Sequence, residues 1–287
     1  MTATAAAGIV DYTDHATEFR EQGFTVIRRF FTRDIAAQLL AEVQRCARED
    51  VAAAQAAGLT DNGIVYTGRI FVRSALFRRV LSSQPVVDFI KAVAGTGDLW
   101  ITMDQAVTKN PNAGVFRWHQ DNGYTGLKTE HFQLWVALTE TRMENGALEL
   151  APGSHKRGRL RHKYIANGQV EVQEEVGPTR RVDATAGDII LFSSLMLHAT
   201  APNVADAPRV AYVAEYMPLA HFAPGLAPPH FIVARDGRSA AQFVPRQPGA
   251  MVLRNQLMYA GPRLVNLARR TLRPLKRRVL RLLDASK

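Results

Sequence analysis

The run LWITMDQAVT (residues 99–108) opens a series of short segments, rich in β-branched and aromatic residues, that determines the architecture. The later segments are VFRWH (115–119), FQLWVAL (132–138), ALEL (147–150), DIILFS (188–193) and RVAYVAEY (209–216). Turn-forming residues separate them, as at residues 110–114 and 144–146. Short strands at this spacing, without helical periodicity between them, are typical of an antiparallel sandwich or barrel. We therefore predict a mainly β core over about residues 97–218.

The part of the chain before this core has helical periodicity instead. Residues 15–22 are a short predicted helix, and residues 33–57 a longer one in which Ile35, Leu39 and Val43 recur at helical spacing. A strand, FTVI (24–27), lies between them, and a third helix begins near Pro85 and ends at Gly95. We expect this helical part, about residues 14–96, to support the core within one domain spanning residues 1–253. Residues 219–253 are predicted to be irregular, as a lid or as an extension of the β domain.

Composition sets limits on the class of protein. The 287 residues are 47% hydrophobic, which is enough for a sizeable core. The one cysteine, Cys46, excludes a disulfide framework and is expected to be a small core residue. The first residues lack the basic and apolar regions of a signal peptide, and the chain has no apolar run of about 18 residues. We therefore expect a cytoplasmic protein.

The positive charge is concentrated at one end of the chain. The net charge is +10, and residues 254–287 contribute +9 of it, so residues 1–253 are close to neutral. Within 254–287, apolar residues recur every three or four positions between the basic ones, which predicts a basic amphipathic helix. Such a helix either lies on an anionic membrane or acidic carrier protein, or packs on the barrel with its basic face in solvent. Nucleic acid is not expected as a partner, because the body is neutral and no reading module is apparent.

The segment WHQD (118–121) predicts a metal site. In a strand, residues i and i+2 point to the same face, so His119 and Asp121 at a strand end can bind one metal ion. A third ligand, His198, lies 77 residues beyond Asp121, just after the apolar run at 189–192. Two histidines and one carboxylate on one face of an ion are typical of Fe(II) oxygenases, because they leave positions open for a bidentate co-substrate and O₂. Zinc also accepts such a ligand set.

Arg209 adds a fourth element to this pattern. It lies eleven residues after His198, at the start of the next predicted strand, so a hairpin would return it beside His198. Its planar guanidinium suits a carboxylate, and a 2-oxo acid that chelates the metal at one end needs such an anchor at the other. On the residues alone, the alternative is a barrel with structural histidines and a surface arginine.

Several ordered motifs resemble the phytanoyl-CoA dioxygenase family. They are WHQDN (118–122), NGALE (145–149) followed by APGSH (151–155), GDIILF (187–192) followed by LHA (197–199), and an N-terminal GFTV (23–26). Together they cover roughly residues 18–217. The resemblance implies a double-stranded β-helix (jelly-roll, cupin-like) core with helical buttresses, and a requirement for Fe(II), 2-oxoglutarate and O₂.

The resemblance also implies roles for individual residues. His119, Asp121 and His198 match the iron ligands, and Arg209 matches the residue that forms a salt bridge with 2-oxoglutarate. Trp135 matches a family tryptophan near the co-substrate, and Gln105 and Lys109 are weaker candidates for contact with co-substrate or substrate. Tyr124, three residues past Asp121, either faces the substrate or packs on the barrel rim.

The expected reaction is oxidation of a small molecule, most simply hydroxylation, in which 2-oxoglutarate is converted into succinate and CO₂. Related halogenases have a small residue in place of the carboxylate ligand, so Asp121 favours hydroxylation over halogenation. The alternatives are a non-catalytic jelly-roll binding protein and a cupin-type metal enzyme of another class. Neither would need the full set of His119, Asp121, His198 and Arg209. The pattern names no substrate and no oligomeric state.

Overall fold

The computed structural model of the protein describes residues 10–56, 63–165, 169–221 and 230–243. The predicted basic helix at 254–287 lies outside these residues, and its role stays a prediction. The described residues belong to one compact unit. Among them, no helix is long and apolar enough to cross a membrane.

Helices dominate the first third of this unit, as predicted. The elements are α1 (Thr13–Gln22), β1 (Phe24–Ile27), α2 (Arg33–Ala56), β2 (Ile64–Gly68), α3 (Ile70–Arg73), α4 (Ala75–Leu81) and α5 (Gln84–Ala94). The predicted ends of α1, α2 and α5 are confirmed to within two residues. Helices α1 and α5 end at Gly23 and Gly95, which adopt the left-handed conformation that favours glycine. Strand β2 and helices α3 and α4 were not predicted.

Strands make up the rest of the unit. They are β3 (Leu99–Lys109), β4 (Phe116–His119), β5 (Phe132–Ala137), β6 (Leu148–Leu150), β7 (His162–Tyr164), β8 (Val170–Val172), β9 (Arg180–Val182), β10 (Ile189–Ser193), β11 (His198–Thr200), β12 (Arg209–Pro218), β13 (Phe231–Arg235) and β14 (Arg238–Phe243). A short helix, α6 (Asn122–Thr125), follows β4. Within residues 219–253, the predicted irregular structure is wrong for β13 and β14. They form a hairpin that extends the β domain along β3, which was one of the two predicted alternatives.

Two antiparallel sheets face each other. The larger sheet has the order β1-β10-β5-β12-β3-β13-β14, with β2 also paired to β3, and the smaller has the order β4-β11-β6-β9. Strands β7 and β8 form a separate pair. Two facing antiparallel sheets with long crossovers and helices against one outer face are the architecture of a jelly roll.

The side chains of the central strands alternate between two apolar layers. Leu134, Val136 and Leu191 point outward and pack in the cluster that contains Phe89 of α5 and the other helical core residues. Trp135, Ile190 and Phe192 point inward and pack with Leu148 and Leu150 of the smaller sheet. Because successive strand residues point to opposite faces, β5 and β10 are buried on both sides. The inner layer is where the predicted site residues lie.

Candidate active site

The two predicted histidine ligands lie on neighbouring strands of the smaller sheet. Strand β11 pairs with β4 in antiparallel fashion, and His198 lies directly opposite His119. Directly opposed residues in an antiparallel pair have their side chains close together, and the two imidazole centroids are 4.2 Å apart. The sheet register alone therefore brings together two side chains that are distant in sequence.

Asp121 completes a three-residue cluster. Its Oδ1 lies 3.9 Å from Nε2 of His119 and 3.8 Å from Nε2 of His198. One ligand atom from each residue lies within 4.8 Å of the others. The predicted geometry differs in one respect, because Asp121 does not continue the strand. It has helical dihedral angles (φ −61°, ψ −32°) as the residue before α6.

The residue between the two ligands holds this turn in place. Gln120 is fully buried and points away from the cluster. Its side-chain amide donates to the carbonyl oxygens of Gly158 (2.8 Å) and Leu195 (2.7 Å), and its backbone N–H donates to Nε2 of His162 (3.1 Å). These three bonds fix the backbone on which His119 and Asp121 depend.

The imidazoles are oriented for metal binding. Nδ1 of His119 lies 2.6 Å from the carbonyl oxygen of Arg117, and Nδ1 of His198 lies 3.1 Å from that of Met196. A carbonyl only accepts, so each Nδ1 carries the proton and each Nε2 lone pair faces the cluster. Burial, and then the charge of His198, lowers the pKa of His119 to about 3. Burial lowers the pKa of His198 to about 4. Both rings are therefore neutral, the form that binds metals.

Asp121 carries the one acidic group of the cluster. Burial raises its pKa to about 6, although the charge of His119 opposes that shift. An ionised carboxylate between two neutral imidazoles is unfavourable unless a cation neutralises it. The donor set, two nitrogens and one oxygen from one side, therefore fits a divalent ion of the Fe(II) type.

Arg209 faces the same space from the larger sheet. It begins β12, its residue is 1% exposed, and its guanidinium carbon lies 6.0 Å from the centre of the Trp135 ring. One terminal nitrogen donates to the carbonyl oxygen of Gly146 (2.8 Å), while Nε has no hydrogen-bond partner among the described residues. Burial lowers its pKa to about 10, so it remains a cation at neutral pH. A buried cation with unused donors fits an anionic ligand.

The comparison with known proteins establishes the family. The sequence model of the family described as "Phytanoyl-CoA dioxygenase (PhyH)" matches residues 19–211, well over half of the chain. The chain belongs to the phytanoyl-CoA dioxygenase (PhyH) family. It is accordingly an Fe(II)- and 2-oxoglutarate-dependent oxygenase, and the predicted jelly-roll core and the predicted Fe(II), 2-oxoglutarate and O₂ are confirmed.

The known proteins that it resembles have low sequence identity to it, and their names indicate different substrates. An ectoine dioxygenase of Bordetella bronchiseptica is 23% identical over 224 residues, covering 68% of this chain and 72% of the relative. A probable alpha-ketoglutarate-dependent hypophosphite dioxygenase of Stutzerimonas stutzeri is 23% identical over 216 residues, covering 67% and 73%. Among solved structures, EctD from S. alaskensis with 2-oxoglutarate and 5-hydroxyectoine has a TM-score of 0.59 at 20% identity, covering 82% of this chain and 87% of that one.

The cluster of this PhyH-family oxygenase opens into a cavity of about 400 Å³ between the two sheets. His119, Asp121, His198 and Arg209 all line it, as do the predicted Trp135, Gln105 and Tyr124. The Tyr124 ring stands edge-on to His119 with centroids 5.4 Å apart, and the residue is 39% exposed. Tyr124 therefore borders both the cluster and the mouth of the cavity.

Lys109 is placed differently from the other predicted residues. It lies opposite Arg209 in the β3–β12 pair, but it is not among the residues that line the cavity. Its amine donates to Oγ1 of Thr200 (3.0 Å) and to the carbonyl oxygen of Ala201. Burial, and then the charge of Arg209, lowers the pKa of Lys109 to about 7. Contact of Lys109 with a co-substrate stays a prediction.

Sequence reasoning missed residues at the other end of the cavity. Glu215, Gln133 and Met103 line it there, and Tyr66, which was also missed, lines it nearer to Arg209. The signal for Glu215 was present, since it follows Arg209 and Val213 at even spacing along one strand and shares their face. No motif marks the others.

Proposed function

We propose that His119, Asp121 and His198 hold the iron, that Arg209 holds 2-oxoglutarate, and that this oxygenase hydroxylates a small molecule in the adjoining cavity. The observation that carries the proposal is that three ligand atoms within 4.8 Å of one another line the same cavity as a buried arginine. The overall reaction adds one atom of O₂ to a substrate C–H bond and the other to 2-oxoglutarate, which yields an alcohol, succinate and CO₂.

Bound iron would supply the oxidising chemistry, and the protein would supply position and environment. The two histidines present neutral Nε2 atoms without rearrangement, because the carbonyls of Arg117 and Met196 already hold their Nδ1 protons. Asp121 contributes the negative charge of the site. A carboxylate in this position occupies the space that a halide needs in a halogenase, which supports hydroxylation over halogenation.

Arg209 is suited to the distal carboxylate of the 2-oxoglutarate co-substrate. Its bond to Gly146 fixes one end of the guanidinium and leaves other N–H donors directed to the cavity. Trp135 packs against the same guanidinium and limits its motion. Charge-assisted hydrogen bonds to a buried arginine are stronger than those at a surface, because no water competes for the donors.

Apolar side chains exclude water from the reacting region. Leu148 of the smaller sheet and Phe192 and Val213 of the larger sheet line the cavity, and the ring of Phe192 lies 4.8 Å from that of His198. Gln105 and Tyr124 provide polar atoms beside this apolar surface. The cavity thus combines an apolar wall with few polar groups, as small-molecule sites generally do.

The test is iron-dependent formation of succinate from 2-oxoglutarate. Wild-type protein should form succinate slowly without substrate, and His119→Ala should abolish the activity because one ligand is lost. His221→Ala, which removes an exposed imidazole outside the ligand cluster, is the matched control. Mass spectrometry of stimulated reactions should show the gain of one oxygen atom. If the iron-loaded wild type forms no succinate, the proposal is refuted. A product that has lost two hydrogens would show that the reaction is desaturation or ring closure and not hydroxylation.

A further inference from the structure

The cavity has opposite charges at its two ends. Arg209, Val213 and Glu215 line it from one face of β12. At about 3.3 Å per strand residue, Arg209 and Glu215 start roughly 20 Å apart along the strand. The register places Val213 beside Trp135, and Glu215 beside Gln133. The proposed 2-oxoglutarate end is therefore cationic, and the far end carries a carboxylate that the proposed mechanism does not use.

Glu215 is held in one orientation by hydrogen bonds and a neighbouring imidazole. Oε1 accepts from the hydroxyl of Thr102, and Oε2 accepts from Nε2 of Gln133 (2.9 Å). Nδ1 of His131 lies 3.4 Å from Oε1. Burial raises the pKa of Glu215, but His131, Thr102 and Gln133 lower it more, so the net pKa lies below the usual value. The carboxylate is therefore ionised at neutral pH.

This buried charge lacks a strong cationic partner. Among the described residues, no lysine or arginine lies in ion-pair contact with Glu215, and the one basic group so close to its carboxylate is the imidazole of His131, 3.4 Å away. The site thus keeps a negative charge at the cavity wall without a lysine or arginine beside it, and that charge would attract a cationic group of a ligand. Two carboxylate oxygens offer about four acceptor positions, more than Thr102, Gln133 and His131 occupy.

The cavity at Glu215 borders its mouth. Met103 lies directly opposite Glu215 in the β3–β12 pair, lines the cavity and is 41% exposed. A ligand that enters from the mouth can therefore reach the carboxylate. An anionic group at this end would be repelled by the charge of Glu215.

We propose that Glu215 binds a cationic nitrogen of the substrate, as an ammonium, amidinium or guanidinium group, with Gln133 holding the carboxylate in place. The inference rests on the proposed function, because it assumes that iron and 2-oxoglutarate occupy the other part of the cavity. The substrate would then span the cavity, with its cation at Glu215 and the C–H bond to be oxidised near the His119 and His198 side chains.

The test is a panel of small primary amines and amidines, each paired with its uncharged counterpart, the N-acetyl derivative or the amide. The readout is stimulation of succinate formation by the iron-loaded wild type. Cationic members should stimulate, and their neutral counterparts should stimulate at least tenfold less. A panel in which no cation stimulates, or in which neutral members match the cations, overturns the inference. Uncoupled succinate formation in the same assays shows separately whether the proposed function holds.

A variant links any stimulation to the carboxylate. Glu215→Gln keeps the size and the acceptor for Thr102 but removes the charge, so the KM for a stimulating cation should rise at least tenfold. Glu21→Gln, which removes an exposed charge, should leave that KM unchanged. A merely structural effect of Glu215→Gln would raise the KM for the co-substrate, 2-oxoglutarate, by the same factor. That result, or an unchanged KM for the cation, contradicts the inference.

Discussion

At the scale of single residues, Arg209 is the group whose chemistry is most specific. The guanidinium is a planar fork, whereas a lysine amine is a flexible point charge, so Arg209→Lys keeps the charge but loses the paired hydrogen bonds. We expect the KM for the co-substrate, 2-oxoglutarate, to rise by about tenfold or more, equivalent to about 1.4 kcal/mol. Steady-state succinate formation measures it. Arg181→Lys, at an exposed position of β9, should leave that KM unchanged, and equal effects in the two variants would contradict the assignment.

The four central residues could be predicted because their chemistry constrains them. A metal needs particular donor types at a strand spacing, and a dicarboxylate needs a fixed cation, so His119, Asp121, His198 and Arg209 leave a readable pattern. Glu215 could not be recognised with the same ease. Its importance depends on His131, Thr102 and Gln133, whose closeness to it arises only when β3, β5 and β12 pair.

At the scale of elements, the close approach between the turn before β10 and the loop after β1 depends on one glycine. Gly187 has φ +96°, and a Cβ atom there would lie 2.3 Å from the carbonyl oxygen of Phe31. The backbone N–H of Phe31, after β1, also donates to the carbonyl oxygen of Gly187, before β10 (3.0 Å). A side chain at this position therefore combines backbone strain with a direct clash.

We predict that Gly187→Ala destabilises the protein by about 2–4 kcal/mol. Gly95→Ala is the matched control, because Gly95 also has positive φ (+69°) but would have nothing within 4 Å of its Cβ. It should cost only about 1 kcal/mol. Thermal unfolding compares the two, and an equal loss of Tm would show that the close approach to Phe31 has no energetic effect.

Helix α3 depends on a buried carboxylate on the far side of β3 from the cavity. Asp104 accepts from the backbone N–H groups of Ile70 (3.0 Å) and Phe71 (2.7 Å) and from the hydroxyl of Tyr212 (2.7 Å). Burial outweighs these bonds and raises its pKa from 3.8 to about 6. The folded state therefore favours the protonated form, and this contribution to stability is present below about pH 4 and lost as the pH rises through about 6.

We predict that wild type loses up to about 3 kcal/mol of unfolding free energy relative to Asp104→Asn as the pH rises from about 4 to 7. Asparagine cannot ionise, so that variant lacks this pH dependence. Urea unfolding of both proteins at the two pH values measures the difference, with Asp34→Asn as an exposed control. A difference that does not change with pH would mean that Asp104 is not destabilised by ionisation.

Long elements with strong periodicity or clear ends could be predicted, whereas short elements between glycines and prolines were missed. Strand β2 (Ile64–Gly68) is short and has a glycine at each end, so it was missed although Ile64, Val65 and Tyr66 favour strands. The β13–β14 hairpin also carried a signal. Asp236 and Gly237 have positive φ (51° and 74°), and an Asp-Gly pair between apolar runs favours a hairpin turn. The proline- and glycine-rich context of that segment obscured it.

At the scale of the whole molecule, the two sheets contribute different parts of the site. The smaller sheet brings the histidines together by register, and the larger sheet carries Arg209 and Glu215 at opposite ends of one strand face. Helices cover the outer face of the larger sheet and leave the inner space to the cavity. Distant segments can meet in this way only after folding, and so the cavity lining could not be predicted in full.

The proposed chemistry depends above all on His119, Asp121 and His198 binding one ferrous ion. The decisive experiment is diffraction, recorded on both sides of the iron absorption edge, from crystals grown anaerobically with Fe(II) and 2-oxoglutarate. We predict one strong anomalous peak per chain, at bonding distance from Nε2 of both histidines and an oxygen of Asp121. A peak elsewhere, or no peak from protein with iron bound in solution, would show that these three residues are not the iron ligands.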